Sequence, residues 1–295
     1  MDSAAVNSGT ENSKKASRMI VVCSAVGGAG KTAVAVNLAA LLSERGTRTT
    51  IADADLQFGD VALALDLVPY ITIKEAAEQR RIGAIRDFCI DHKSGIRVLA
   101  APVRPEFAEL VTAADLQQAV AGLREETEAL IVDTAPGLAE HNLLLLEQAD
   151  DIIVVTTPGM AALKNTRLMI ETLAALGLRQ NVRLIVNKTD APTLMDVSDV
   201  PELLNFRAKI LLPDDPKRVN FSMDTGVPLV FSHPLHSFSR QMRKLADAYY
   251  PAGTAEDKGV FNGLKEKMTA KRIRGEKDES FSEAAIEKYG SSHHS

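Results

Sequence analysis

The stretch Ser24-Ala25-Val26-Gly27-Gly28-Ala29-Gly30-Lys31-Thr32 holds the densest chemistry in the chain. Glycines 27, 28 and 30 let successive backbone N–H groups turn inward on a single anion. Lys31 adds a full positive charge, and the Thr32 hydroxyl can ligate Mg²⁺. The apolar run Met19 to Cys23 precedes this stretch, and Val34, Leu38, Leu41 and Leu42 follow at helical spacing. Strand, glycine-rich turn, Gly-Lys-Thr and helix make the P-loop arrangement, which sets an anion against the positive end of a helix. The chemistry implied is the holding of nucleotide phosphates.

Carboxylates recur where such a site needs them. The expected strand Thr47 to Ala52 ends in Asp53-Ala54-Asp55-Leu56-Gln57-Phe58-Gly59-Asp60. In a parallel sheet the strand C-termini meet along the ligand-binding edge, so Asp53 and Asp55 should face the glycine-rich turn. Two acids beside a phosphate must hold Mg²⁺, position water or pair with a cation, because like charges repel. If strand geometry persists, both point to one side. A second apolar run, Ala129 to Val132, ends in Asp133, and an aspartate there can reach the Mg²⁺ shell. Asn187-Lys188-Thr189-Asp190 ends a third, and Pro213-Asp214-Asp215 follows the expected strand Ala208 to Leu212.

The elements that must carry these residues alternate. Further strands are expected at Ile96–Ala100, Asp151–Thr156 and Val182–Asn187. Helices are expected at Thr112–Thr127, His141–Gln148, Ala161–Leu176 and Ser237–Tyr249, and residues 61–94 also read as helical. Arg104 to Leu110 reads as a loop and short helix, and Ser222 to Val230 helps close the domain. The fold class is α/β, a doubly wound, mostly parallel sheet flanked by helices.

Gly27-Gly28-Ala29-Gly30-Lys31-Thr32, with the acidic strand end and Asp133-Thr134-Ala135-Pro136, resembles the deviant P-loop of MinD/ParA-type ATPases. The resemblance spans roughly residues 18–250. It implies that Gly27, Gly28, Ala29, Gly30, Lys31, Thr32 and Ala33 hold ATP or ADP. Thr32, Asp53 and Asp133 would lie at Mg²⁺, and Lys31 and Asp55 would serve catalysis, Asp55 by orienting water. Asn187, Pro213 and Asp214 would surround the base. Asn-Lys-x-Asp is also the guanine-specificity motif of GTPases, so this motif alone leaves the base open; the MinD-like context favours adenine. The family also implies an ATP-sandwich homodimer bridged by a lysine before the Gly-Gly pair. Here that position is Val26, so slow turnover with retained binding is expected, since a supplied cation can be worth about 10³–10⁵ in rate. The segment Asp53 to Asp66, with Pro102-Val103-Arg104-Pro105-Glu106, looks most like the CpaE/TadZ branch, implying partners in a Tad/Flp-type pilus or another cell-envelope machine.

Composition excludes some classes and leaves others. Over 295 residues the net charge is −5, which argues against an electrostatic nucleic-acid binder, although Arg240, Arg243 and Lys244 could form a local basic face for DNA. Cys23 and Cys89 form no CxxC pair, and the polar N-terminus does not read as a signal peptide, so a cytoplasmic protein is expected. Residues 1–17 read as a disordered tail and 251–295 as a basic, amphipathic and then polar tail. Within 258–277 the charge is basic while Val260, Phe261, Leu264 and Met268 recur at helical spacing. That stretch could lie on anionic membrane or simply be solvated.

Overall fold

The computed structural model describes residues 17–193 and 196–251. The expected N-terminal tail up to residue 16, and the candidate membrane-contacting stretch 258–277, lie outside the described residues.

The chain alternates in order: β1 (Arg18–Cys23), α1 (Lys31–Glu44), β2 (Thr49–Ala54), α2 (Ile73–Glu78), β3 (Ile90–Asp91), β4 (Arg97–Leu99), α3 (Ala113–Glu126) and β5 (Ala129–Thr134). It continues through α4 (Glu140–Gln148), β6 (Asp151–Thr156), α5 (Met160–Ala175), β7 (Val182–Val186), α6 (Val200–Leu203) and β8 (Ala208–Leu211). It closes with α7 (Pro216–Asp224), α8 (Leu229–Ser232) and α9 (Ser237–Tyr249). The strands form one sheet in the order β3-β4-β2-β5-β1-β6-β7-β8. Every pairing is parallel except β3 with β4 at one edge.

Strand sequences such as Arg18-Met-Ile-Val-Val-Cys23 are apolar at every inner position because both sheet faces are covered. Met19, Val21 and Cys23 belong to the core under α3, α4 and α5, whereas Ile20 and Val22 face the core under α1 and α9. That alternation follows from the strand period of two. The helix α1 is sandwiched between the sheet and the closing helices, so residues around most of its circumference are buried. It ends where Gly46 adopts φ 80°, a left-handed conformation that glycine takes without strain.

Residues 61–94 depart from the helical reading. They hold a 3₁₀ turn at Leu63–Leu65, the short α2, a 3₁₀ segment at Ile82–Phe88 and the edge strand β3. The apolar spacing is real, since Val61, Leu65, Ile73, Ile82, Ile85 and Phe88 are all buried. The backbone turns between them, at Asp66 (φ 53°) and Arg80 (φ 54°), so separate short helical pieces each bury two or three side chains. The segment Ser222 to Val230 is likewise split between α7 and α8.

Candidate nucleotide-binding site

The turn between β1 and α1 opens an anion cradle at the sheet's C-terminal edge. Gly28 and Gly30 have φ of 71° and 96°, and Gly30 caps α1 without any side-chain hydrogen bond. The first N–H groups of α1 are therefore left for a ligand. Lys31 is the first helical residue and is 8% exposed. At the next residue, the Thr32 hydroxyl donates to Asp133 Oδ2 at 2.6 Å.

Asp133 lies near the end of β5, between β1 and β2, and is 1% exposed. Among the described residues its buried Oδ1 has no hydrogen-bond partner. Burial pushes its carboxyl up to about 7, against the opposing pull of the Thr32 hydroxyl and the Lys31 charge. An unpartnered buried carboxylate oxygen beside a threonine hydroxyl at a phosphate cradle fits a hard divalent cation, whose ligands are oxygens. Thr32 and Asp133 would hold Mg²⁺ there, and the ion would supply charge neutralisation for the phosphates.

Asp53 stands directly opposite Asp133 in the β2–β5 register and is 2% exposed. Burial first, and the Asp133 charge second, raise its carboxyl well above the ordinary range. Its oxygens accept from the N–H groups of Asp55 (3.2 Å) and Val61 (3.1 Å). The strand ends at Ala54, so the geometry that would aim Asp53 and Asp55 to one side does not persist. Asp55 instead begins a turn, half-buried, with Oδ1 accepting from Phe58 N–H at 3.2 Å. Its charge is still felt at Asp133, where it helps raise the carboxyl.

Asn187 and Lys188, just past β7, reach back to the glycine-rich turn. Asn187 Nδ2 donates to Ala29 O at 2.9 Å, and Lys188 Nζ donates to Gly28 O at 3.1 Å. A Cβ on Gly30 would lie 2.3 Å from Asn187 Nδ2, so only glycine admits this close approach. The amide nitrogen expected near a base is thus engaged with the loop. Pro213 and Asp214 follow β8, half-buried, and Leu212 O accepts from Thr189 N–H at 3.0 Å, which sets the two loops side by side. Asp215, the next residue, caps α7 and pairs with Arg218 and His236. A cavity of about 250 Å³ opens along the outer rim, lined by Gly27, Gly28, Pro158, Lys188 and Pro192 among others.

Two further residues shape the site without a local signal for their partners. The sequence shows Lys188 inside its motif and not the carbonyl it reaches. Asn142, fully buried in α4, donates to Ala135 O and Gly137 O at 3.0 Å each and so fixes the turn after Asp133. Its signal is a lone amide inside the leucine run His141-Asn-Leu-Leu-Leu-Leu146.

Residues 20–218 match the CobQ/CobB/MinD/ParA nucleotide binding domain. The chain belongs to this family. A putative septum site-determining protein MinD from Guillardia theta is 30% identical over 226 residues, covering 74% of this chain and 82% of that protein. Among solved structures, the septum site-determining protein MinD complexed with Mg-ADP from Pyrococcus horikoshii superposes with a TM-score of 0.71 at 21% identity, over 84% of this chain and 98% of that one. A ParA family ATPase from Chlorobium tepidum gives a TM-score of 0.72 at 18% identity, over 78% and 99%. These structural likenesses establish the α/β fold of MinD/ParA nucleotide-binding ATPases. Among the described residues, no helix is long and apolar enough to cross a membrane.

Within the family frame, Val26 is the notable position. It is half-buried and packs against the core under α1, while its carbonyl accepts from Ser24 Oγ at 2.6 Å. No cationic side chain is offered from this position.

Proposed function

We propose that the chain is an ATP-binding, slowly hydrolysing MinD-like switch that localises or helps assemble a cell-envelope machine, a Tad/Flp-type pilus on its resemblance to the CpaE/TadZ branch. The observation that carries the nucleotide reading is the Thr32–Asp133 pair, with its unpartnered carboxylate oxygen, at the mouth of the uncapped α1. The N–H groups of residues 27–33 and the Lys31 ammonium bind the phosphates. Thr32 and Asp133 hold Mg²⁺. Asp55 orients the attacking water, and Pro213 and Asp214 border the base with Asn187 behind them. Two copies associate around ATP, and residues 258–277 contact the anionic inner face of a membrane. The pilus assignment rests on the sequence Asp53 to Asp66 and is tested by pull-down of envelope assembly proteins on the Mg-ATP-loaded chain. The membrane contact is tested by liposome sedimentation with and without residues 258–295.

A second reading is a scaffold that binds nucleotide and does not cycle. It is favoured by the inward packing of Val26, which supplies no bridging cation. A DNA-riding role has weaker support, because Arg243 of the candidate basic face is paired with Glu44 at 2.8 Å. Phosphate release from Mg-ATP separates the first two readings. Activity lost in Lys31→Ala and Asp55→Ala marks a cycling switch. Release no faster than in those variants, with Mg-ATP still bound, marks the scaffold.

A further inference from the structure

Each oxygen of the Asp53 carboxylate accepts from the backbone of one loop. Its Oδ1 accepts from Asp55 N–H, two residues on, and its Oδ2 from Val61 N–H, eight residues on. One side chain therefore ties together the start and the end of the segment 55–61. The middle of that segment lies across the same carboxylate. A Cβ on Gly59 would fall 2.3 Å from Asp53 Oδ2 and 2.6 Å from both Cγ and Oδ1. Both oxygens are thus roofed by backbone, and a cation could reach them only after the loop had lifted.

The loop has two further anchors, Leu56 (8% exposed) and Val61 (fully buried), so Asp53 sits at the centre of a closed clasp. Inside the clasp, Asp55 Oδ1 accepts from Phe58 N–H at 3.2 Å, which fixes its carboxylate within the same turn.

We propose that Asp53 is a positioning residue that fastens the 55–61 loop and thereby aims Asp55, and that it is not a ligand of the metal held by Thr32 and Asp133. The part that concerns turnover rests on the ATPase reading above; the clasp itself does not.

Two variants separate the roles. Asp53→Asn keeps the shape but replaces one acceptor oxygen with a donor, which cannot serve an N–H group. Gly59→Ala leaves the carboxylate intact and forces the loop off it. Hydrogen exchange read on peptides covering 55–61 should accelerate about tenfold in both variants, the loss expected for a removed backbone hydrogen bond. The Mg²⁺ concentration that half-saturates binding of a fluorescent ADP analogue should stay within about twofold of the parent chain, as no ligand is lost. Where the chain turns over, kcat should fall in both variants with KM unchanged. Unaltered exchange at 55–61 in Gly59→Ala overturns the clasp. So does a tenfold rise in the Mg²⁺ requirement of Asp53→Asn, the signature of a lost metal ligand. If Asp53→Asn fails to fold, Gly59→Ala still decides through exchange. A parent chain with no phosphate release sinks the ATPase reading alone, since exchange and Mg²⁺ dependence remain readable.

Discussion

The ends of β2 and β5 carry the same residue at matched depth, and they differ in what meets it. Asp53 and Asp133 are register partners, 2% and 1% exposed, and burial raises both carboxyl groups. Asp53 is met by two backbone N–H groups, whereas Asp133 is met on one oxygen by the Thr32 hydroxyl and on the other by nothing. A buried carboxylate without a full set of donors is costly in an apo protein, and its persistence is a mark of a missing ligand. Burial and charge alone do not tell the two apart; the partners do.

The largest effect should come from breaking the unpartnered side. Asp133→Asn is expected to weaken Mg-nucleotide binding about 100-fold while leaving metal-free nucleotide binding nearly unchanged, as read by titration at varied Mg²⁺. Next comes a contrast in stability without ligand. Replacement by Asn relieves buried charge at both positions, but only at 53 does it leave a backbone N–H without an acceptor. Asp53→Asn should therefore be less stable than Asp133→Asn by about 1–3 kcal/mol in chemical denaturation.

His92 sharpens the comparison from outside the site. It is 7% exposed, with Nδ1 engaged by Ser94, and burial lowers its pKa to about 4. The folded state thus favours neutral imidazole more than the unfolded chain does. The stability it contributes is present above pH 6.5 and is lost as pH falls towards 4. Denaturation of His92→Gln across that window should show a shallower acid loss than the parent chain, with nucleotide binding at neutral pH unchanged. The smallest effect is expected at Lys188→Ala, which removes one half-exposed contact to Gly28 O. About a two- to fivefold weakening of nucleotide binding is expected, measured by competition with the fluorescent analogue.

Much of the fold was legible from the chain. The apolar runs that became β1, β5, β6 and β7 are continuous because both faces of the sheet are buried, and that needs no tertiary information to see. The glycine-rich turn with Lys31 and Thr32 was legible for the same reason, since backbone and helix end act locally. The helical reading of residues 61–94 holds only in short pieces, at Leu63–Leu65, Ile73–Glu78 and Ile82–Phe88, because apolar spacing does not show the left-handed turns at Asp66 and Arg80 that separate them. The position of Asp53 at a strand end tells where it lies and not what folds over it.

The sequence by itself determined the P-loop, the parallel α/β sheet and the edge where the acids gather, because strand period, glycine torsions and helix polarity act over a few neighbouring residues. Tertiary structure alone decided which hydrogen-bond partners meet each of the two aspartates. It also turned Asn187 and Lys188 inward to hold the glycine-rich turn. Hydrogen-bond partners arriving from loops 8 residues away, at the Val61 N–H, and 158 away, at the Ala29 carbonyl, make those choices, and no local pattern encodes a partner that distant.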